Sequence, residues 1–112
     1  MLKIDIQPIR GVLFVRLSGK LERKNVSKLN KEVIMLIKKA KIKNIVLNIK
    51  KLDYIDYYGK NAILNSIRIC HFNKGTSFIC LKENQKKILK TNYLKYPKII
   101  KNEISVFSVI NP

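Results

Sequence analysis

Ile45-Val46-Leu47-Asn48-Ile49, Lys50-Lys51-Leu52-Asp53-Tyr54-Ile55 and Asp56-Tyr57-Tyr58-Gly59-Lys60-Asn61 form the stretch that decides the fold. The first piece is short, apolar and rich in β-branched residues, the pattern of a strand buried on both faces of a parallel sheet. The last piece opens a helix whose apolar residues continue through Ala62, Ile63, Leu64, Ile67 and Cys70. The middle piece reads as the loop between them. In parallel α/β sheets, ligands and partners gather at such strand-to-helix ends, where free N–H groups and the positive helix terminus point outward. A functional site is expected here.

Working outward, Leu2 to Pro8 alternates apolar and polar, a half-exposed edge strand ended by proline. Arg10-Gly11 turns the chain into a second strand, Val12 to Leu17, so the two make a hairpin. Ser18 to Arg23 reads as a loop. Asn25 is placed to cap a helix running to Lys39, with Val26, Leu29, Val33, Leu36, Ile37 and Ala40 at helical spacing. Lys28 and Glu32 stand four apart on it. After the central helix, Tyr58 to His71, the turn Asn73-Lys74-Gly75 offers a positive φ at Gly75. Ser77 to Leu81 is another buried strand. A short helix from Glu83 to Lys90, packing of Tyr93 and Leu94, and a small strand from Lys98 to Lys101 follow. Asn102 caps a last helix, Glu103 to Ile110, anchored by Ile104, Phe107 and Ile110.

The order β-β-α-β-α-β-α-β-α predicts one α/β domain over residues 1–112. It has a mostly parallel sheet of four or five strands, an antiparallel edge hairpin and about four helices, joined by right-handed crossovers. If each crossover steps to the next strand in one direction, the helices pile onto one face.

Composition bounds the function. The 112 residues are 46% hydrophobic, enough for a real core. No apolar run reaches the length of a membrane span and no signal peptide opens the chain, so a cytoplasmic protein without membrane insertion is expected. Cys70 and Cys80 form no CxxC pair and read as small buried apolar residues. There are 24 basic residues against 7 acidic, a net charge of +17. That surface suits nucleic acid, anionic membrane or acidic protein, although abundant Lys, Ile and Asn together also mark a compositional bias.

The ordered motifs resemble the STAS domain of bacterial anti-sigma-factor antagonists nearly end to end. Val12-Leu13-Phe14-Val15-Arg16-Leu17-Ser18-Gly19-Lys20-Leu21-Glu22 is similar to the family's V-L-x-x-R-L-x-G-E-L-D opening. Asn44 through Asp56 is similar to x-I-V-L-N-L-x-x-L-x-F-M-D. Gly59 stands at the glycine of the following D-S-S-G, and Lys98-Ile99-Ile100 at its later K-I-I. The resemblance implies a βα superhelix and a non-enzymatic role in partner switching. The antagonist docks on an anti-sigma factor, a serine-kinase-type ATPase, and phosphorylation of the first serine of D-S-S-G turns docking off. It places the partner-binding surface on Glu22, Asp56, Tyr57, Tyr58 and Gly59.

This chain departs from the pattern at the switch. Tyr57 stands at the phosphorylated serine and Tyr58 at the second. The phenol oxygen lies further from the backbone by roughly the width of a ring, out of place for a serine kinase. The phosphorylation switch is therefore expected to be lost. Lys20 replaces the family's acid and Glu22 its aspartate.

Other chemistry finds little support in the residues. Asp53 and Asp56 lie three apart with no histidine beside them, so Asp56 reads as a helix cap or docking group. His71 is the single histidine, and no metal spacing, phosphate loop or nucleophile elbow is present. No metal or cofactor is expected. Tyr54, Tyr57 and Tyr58 beside Lys50, Lys51 and Lys60 also suit a nucleic-acid stacking patch. The favoured reading has Tyr54 packing inward and the other two docking protein. A STAS subunit of a membrane transport complex and a basic nucleic-acid-binding module are the alternatives.

Overall fold

The computed structural model describes residues 1–40, 42–89 and 97–110. The elements are β1 (Leu2–Ile9), β2 (Val12–Leu21), α1 (Val26–Lys39), β3 (Asn44–Ile55), α2 (Tyr57–Phe72), β4 (Thr76–Cys80), a 3-10 helix (Glu83–Leu89), β5 (Lys98–Ile99) and α3 (Ser105–Ile110). The expected packing of Tyr93 and Leu94, and Lys90 as a helix end, lie outside the described residues.

One sheet holds all five strands in chain order. β1 pairs with β2 antiparallel, and every later neighbour is parallel. The hairpin turns on Arg10 and Gly11, whose φ values of 50° and 79° are the double positive φ that a two-residue turn of matching twist requires.

Alternation along the strands builds two cores. Leu13, Val15, Leu17, Ile45, Leu47, Ile49 and Ile79 face one side, where Leu29, Val33 and Ile37 of α1 and Ile63 and Ile67 of α2 cover them. Val12, Phe14, Val46, Phe78 and Cys80 face the other side, covered by Ile100 and Val106 with Phe107 and Ile110. Helices therefore lie on both faces, not one. A sheet apolar on both sides leaves its second face wet unless something returns to it. α3 does so, because it follows the last strand and makes no crossover.

The other differences are local. β2 and β3 run on to Leu21 and Ile55, through stretches read as loops. α3 begins at Ser105, where Asn102 accepts from the Ser105 N–H at 3.0 Å. Ile104 is 79% exposed and anchors nothing; Val106 is the buried anchor. Asn25 does not cap α1 with its side chain. Its Oδ1 accepts from the Glu22 N–H and its Nδ2 donates to the Lys20 carbonyl, both at 2.9 Å, so it closes the preceding turn instead. The positive φ in the turn after α2 falls on Lys74, at 61°. Gly75 is needed for space, since a Cβ there would run into the Lys43 carbonyl. Ala40 is exposed, and no ion pair joins Lys28 to Glu32 among the described residues.

Candidate functional site

Parallel pairing brings the C-terminal ends of β2 and β3 to one edge of the molecule. Two register shifts shape that end. Arg16 pairs with Asn48 but Ser18 with Lys51; Gly19 pairs with Leu52 but Lys20 with Tyr54. Each shift adds a residue to β3, and one added residue turns all that follow to the opposite face. The inward set passes from Ile45, Leu47 and Ile49 to Leu52, then back to Ile55. Tyr54 is left outside, 51% exposed, against the expectation that it packs inward.

Asp56 joins the two chain segments. Its N–H donates to the Leu21 carbonyl at 3.2 Å, fixing the end of β3 to the end of β2. Its Oδ1 accepts from the Gly59 N–H at 2.8 Å, capping α2. Its Oδ2 accepts from the Arg23 N–H at 2.9 Å, holding the loop that leaves β2. Partial desolvation raises the carboxyl pKa, but backbone donors, Gly59 first and then Arg23, outweigh it and hold Asp56 below the ordinary aspartate value.

Gly59 is buried and offers no contact surface of its own. A Cβ there would lie 2.5 Å from the Leu21 carbonyl oxygen and 3.0 Å from Leu21 Cγ. The glycine lets the first turn of α2 press against the end of β2. Tyr57 and Tyr58 then project from that turn, 71% and 46% exposed. Their rings meet edge to face at 5.7 Å. The Arg23 guanidinium sits over the Tyr58 ring, 5.3 Å from its centroid. Glu22, half-buried beside them, faces Lys24 across 3.7 Å.

The structure thus brings Glu22, Asp56, Tyr57 and Tyr58 to one surface and, against expectation, buries Gly59 beneath it. Arg23 belongs to it as well, through both its backbone and its guanidinium, and the sequence reading passed over it. The signal was available in the topology: adjacent parallel strands end side by side, so the residue after Glu22 had to approach the start of α2.

A second polar cluster lies on the sheet face that carries α3. Arg16 donates to both Glu103 carboxylate oxygens at 2.9–3.0 Å, and to Asp5 and Gln7 at 2.9 Å. Asn48 donates to Glu103 at 2.8 Å. Partial burial raises the Glu103 pKa, yet the bonds from Arg16 and Asn48 prevail and hold it below the usual glutamate value. The cluster lines a cavity of about 480 Å³ with Lys3 and Lys51. Every acid in it is already paired, so it works as a clamp between the sheet and α3.

No three His, Cys, Asp or Glu side chains among the described residues are grouped to hold a metal. Cys70 and Cys80 are buried and unpaired. Burial pushes the Cys70 thiol up to about 11, leaving little thiolate at neutral pH. No helix among the described residues is long and apolar enough to cross a membrane.

The fold is an α/β domain on a mixed, mostly parallel sheet, with Asp56 and the exposed Tyr57 and Tyr58 gathered where its second and third strands end. The family model of the STAS domain matches residues 3–103, and the chain belongs to that family. It is 30% identical over 79 residues to an anti-sigma F factor antagonist of Paenibacillus polymyxa, a match covering 70% of this chain and 68% of that one. Among solved structures it resembles the anti-sigma factor antagonist SpoIIAA in its unphosphorylated form, with a TM-score of 0.80 at 16% identity over 98% of this chain and all of that one. It also resembles an anti-sigma factor antagonist from Mycobacterium paratuberculosis, with a TM-score of 0.82 at 10% identity, covering 100% of this chain and 96% of that one.

Proposed function

We propose that this chain is a regulator that works by protein contact in partner-switching control of transcription, in the manner of an anti-sigma factor antagonist. Its partner is an anti-sigma factor of the serine-kinase-type ATPase class or a related regulatory protein. The docking surface comprises Glu22, Arg23, Asp56, Tyr57 and Tyr58, with Gly59 setting the turn beneath them. The observation that carries this reading is the Asp56 clasp. One carboxylate ties two loops together and leaves two tyrosines exposed on a braced turn, and rigid exposed aromatics are the usual anchors of protein interfaces.

The same geometry supports a docking surface without the serine switch. Tyr57 is the first residue of α2, at the position a phosphoserine would take in the family pattern. Its hydroxyl sits at the end of a ring, away from the N–H groups that a phosphate on a short side chain would meet. Docking here is constitutive and needs no cofactor. The protein works in the cytoplasm, beside the transcription machinery.

The test is a native pull-down from the host, followed by titration against the recovered ATPase. Tyr57→Ala and Tyr58→Ala are each expected to weaken binding by about thirtyfold or more, the mark of an anchor residue. Glu22→Lys is expected to weaken it too. With the kinase and Mg-ATP, the peptide spanning Asp56 to Gly59 stays unmodified by mass spectrometry, whereas the Tyr57→Ser chain becomes a phosphate acceptor. Phosphate on Tyr57 itself would overturn the lost switch. Recovery of a transport ATPase, or of nucleic acid alone with a steep loss of binding in salt, would overturn the partner class.

A further inference from the structure

The two edges of the sheet are built differently. β5, at one edge, is two residues long. β1, at the other, runs eight residues and pairs with β2 without a bulge, from Leu2↔Gly19 to Ile9↔Val12. No strand among the described residues lies outside it. A long, regular, uncovered edge is a template for another strand, and folds usually blunt it. Pro8 lacks an N–H but stands near one end only.

The direction of each backbone group on β1 follows from one bond. The Lys20 N–H donates to the Met1 carbonyl at 3.1 Å, so Met1 faces β2. Antiparallel alternation then turns Lys3, Asp5, Gln7 and Ile9 toward β2. Leu2, Ile4 and Ile6 hold their N–H and C=O groups outward.

We propose that this edge is a homodimer interface, in which β1 pairs antiparallel with β1 of a second copy about a two-fold axis through Ile4. In that register Ile4 bonds with its own counterpart, and Leu2 bonds with Ile6 in both directions. Lys3 lies opposite Asp5 in the closely spaced, non-bonded pairs, twice over, with opposite charges facing. The neighbouring registers fail on this sequence. An axis at Asp5 sets the carboxylate against itself, and an axis at Lys3 sets the ammonium against itself. An axis at Ile6 places Ile4 opposite Pro8, which has no N–H to give. Registers between residues match outward groups with inward ones.

Two further features favour a second copy as the occupant. Ile4 and Ile6 are only partly buried on the main core, and a partner's Leu2, Ile4 and Ile6 would extend that core across the seam. The charged residues of β1, Lys3 and Asp5, cancel on a chain of net charge +17. The strand itself thus adds no net side-chain charge to a seam between two like-charged molecules. The two docking surfaces of the dimer then point in opposite directions, because the two-fold axis reverses the strands.

Sedimentation of the full chain across micromolar to millimolar concentration tests this. The mass is expected to rise from 13.1 kDa toward twice that value, more readily at physiological ionic strength than in dilute buffer, as screening relieves the repulsion between the two copies. Ile4→Pro removes an N–H that β2 does not use. It is expected to weaken association about tenfold or more while circular dichroism stays unchanged. Lys3→Asp and Asp5→Lys chains are each expected to remain monomeric alone and to associate when mixed, since the mixture restores opposite charges across the seam. A chain that stays monomeric throughout would overturn the proposal. So would a dimer indifferent to Ile4→Pro and to the charge exchange, which would place the interface elsewhere.

Discussion

Asp56 does with one carboxylate what would otherwise need two residues. Asp56→Ala leaves the Gly59 and Arg23 N–H groups without acceptors, so a clear fall in the urea midpoint is expected. Asp56→Asn keeps one carbonyl oxygen for the cap and is expected to lose less. Urea midpoints of the three chains measure the order. Gly59→Ala tests the same turn from the other side. In an ordinary helix that change gains up to about 1 kcal/mol. Here the new methyl meets a backbone carbonyl at 2.5 Å, which cannot swing away, so a loss of about 1–3 kcal/mol is expected instead. A gain would show that β2 and α2 separate easily. At this scale the sequence was readable where one role suited a residue type. An aspartate before a helical apolar pattern is a cap, and Asp56 is one. Asn25 was misread because asparagine serves turns and caps equally well, and only the path of the chain through Lys20 and Glu22 chooses between them.

α3 is the element most dependent on side chains outside itself. Six residues are too few to hold a helix unaided, and Arg16, Asn48 and Glu103 tie its leading turn to the sheet. Because the folded pKa of Glu103 lies below its ordinary value near 4.5, its pairing contributes fully above that value and is lost as pH falls through the depressed one. Arg16 stays charged throughout. Urea midpoints are therefore expected to fall as the solution is acidified below about 4.5, and amide exchange in Val106 to Ile110 to quicken first. Glu103→Gln is expected to cost about 1–2 kcal/mol at neutral pH and to flatten part of the acid slope. An unchanged slope would assign it to other carboxylates, Asp56 among them. The clamp was invisible in the sequence because its partners lie 87 and 55 positions apart. The edge strand was legible from its alternation and the buried strands from their apolar runs. Their true lengths were not, because the two register shifts break the period in β3 where it seemed to end. The two shifts cancel by Ile55, so Tyr54 falls opposite the Ile45 face, where plain alternation also puts it.

At the scale of the whole molecule, charge is the feature in conflict with compactness. With 24 basic residues against 7 acidic, most cations have no anion to meet. Ion pairs among the described residues involve Asp5, Glu22, Glu83 and Glu103 only. Each exposed pair is worth about 0–1 kcal/mol and weakens in salt. The repulsion among the remaining cations also weakens in salt, but it acts between many more partners and over longer distances. Screening shortens the Debye length from about 30 Å at 0.01 M to about 8 Å at physiological ionic strength. Repulsion across a molecule 36 Å long is therefore reduced more than contacts at 3 Å are. The fold is expected to gain stability as sodium chloride rises over that range, seen as a rising urea midpoint with an unchanged slope. A falling midpoint would mean that the few ion pairs outweigh the net charge, and that the lysines are arranged more favourably than their number suggests. The same titration bears on function. Docking through the tyrosines and the Asp56 clasp should survive this change in salt, because aromatic burial is not screened, whereas binding carried by the lysines as a group would fade.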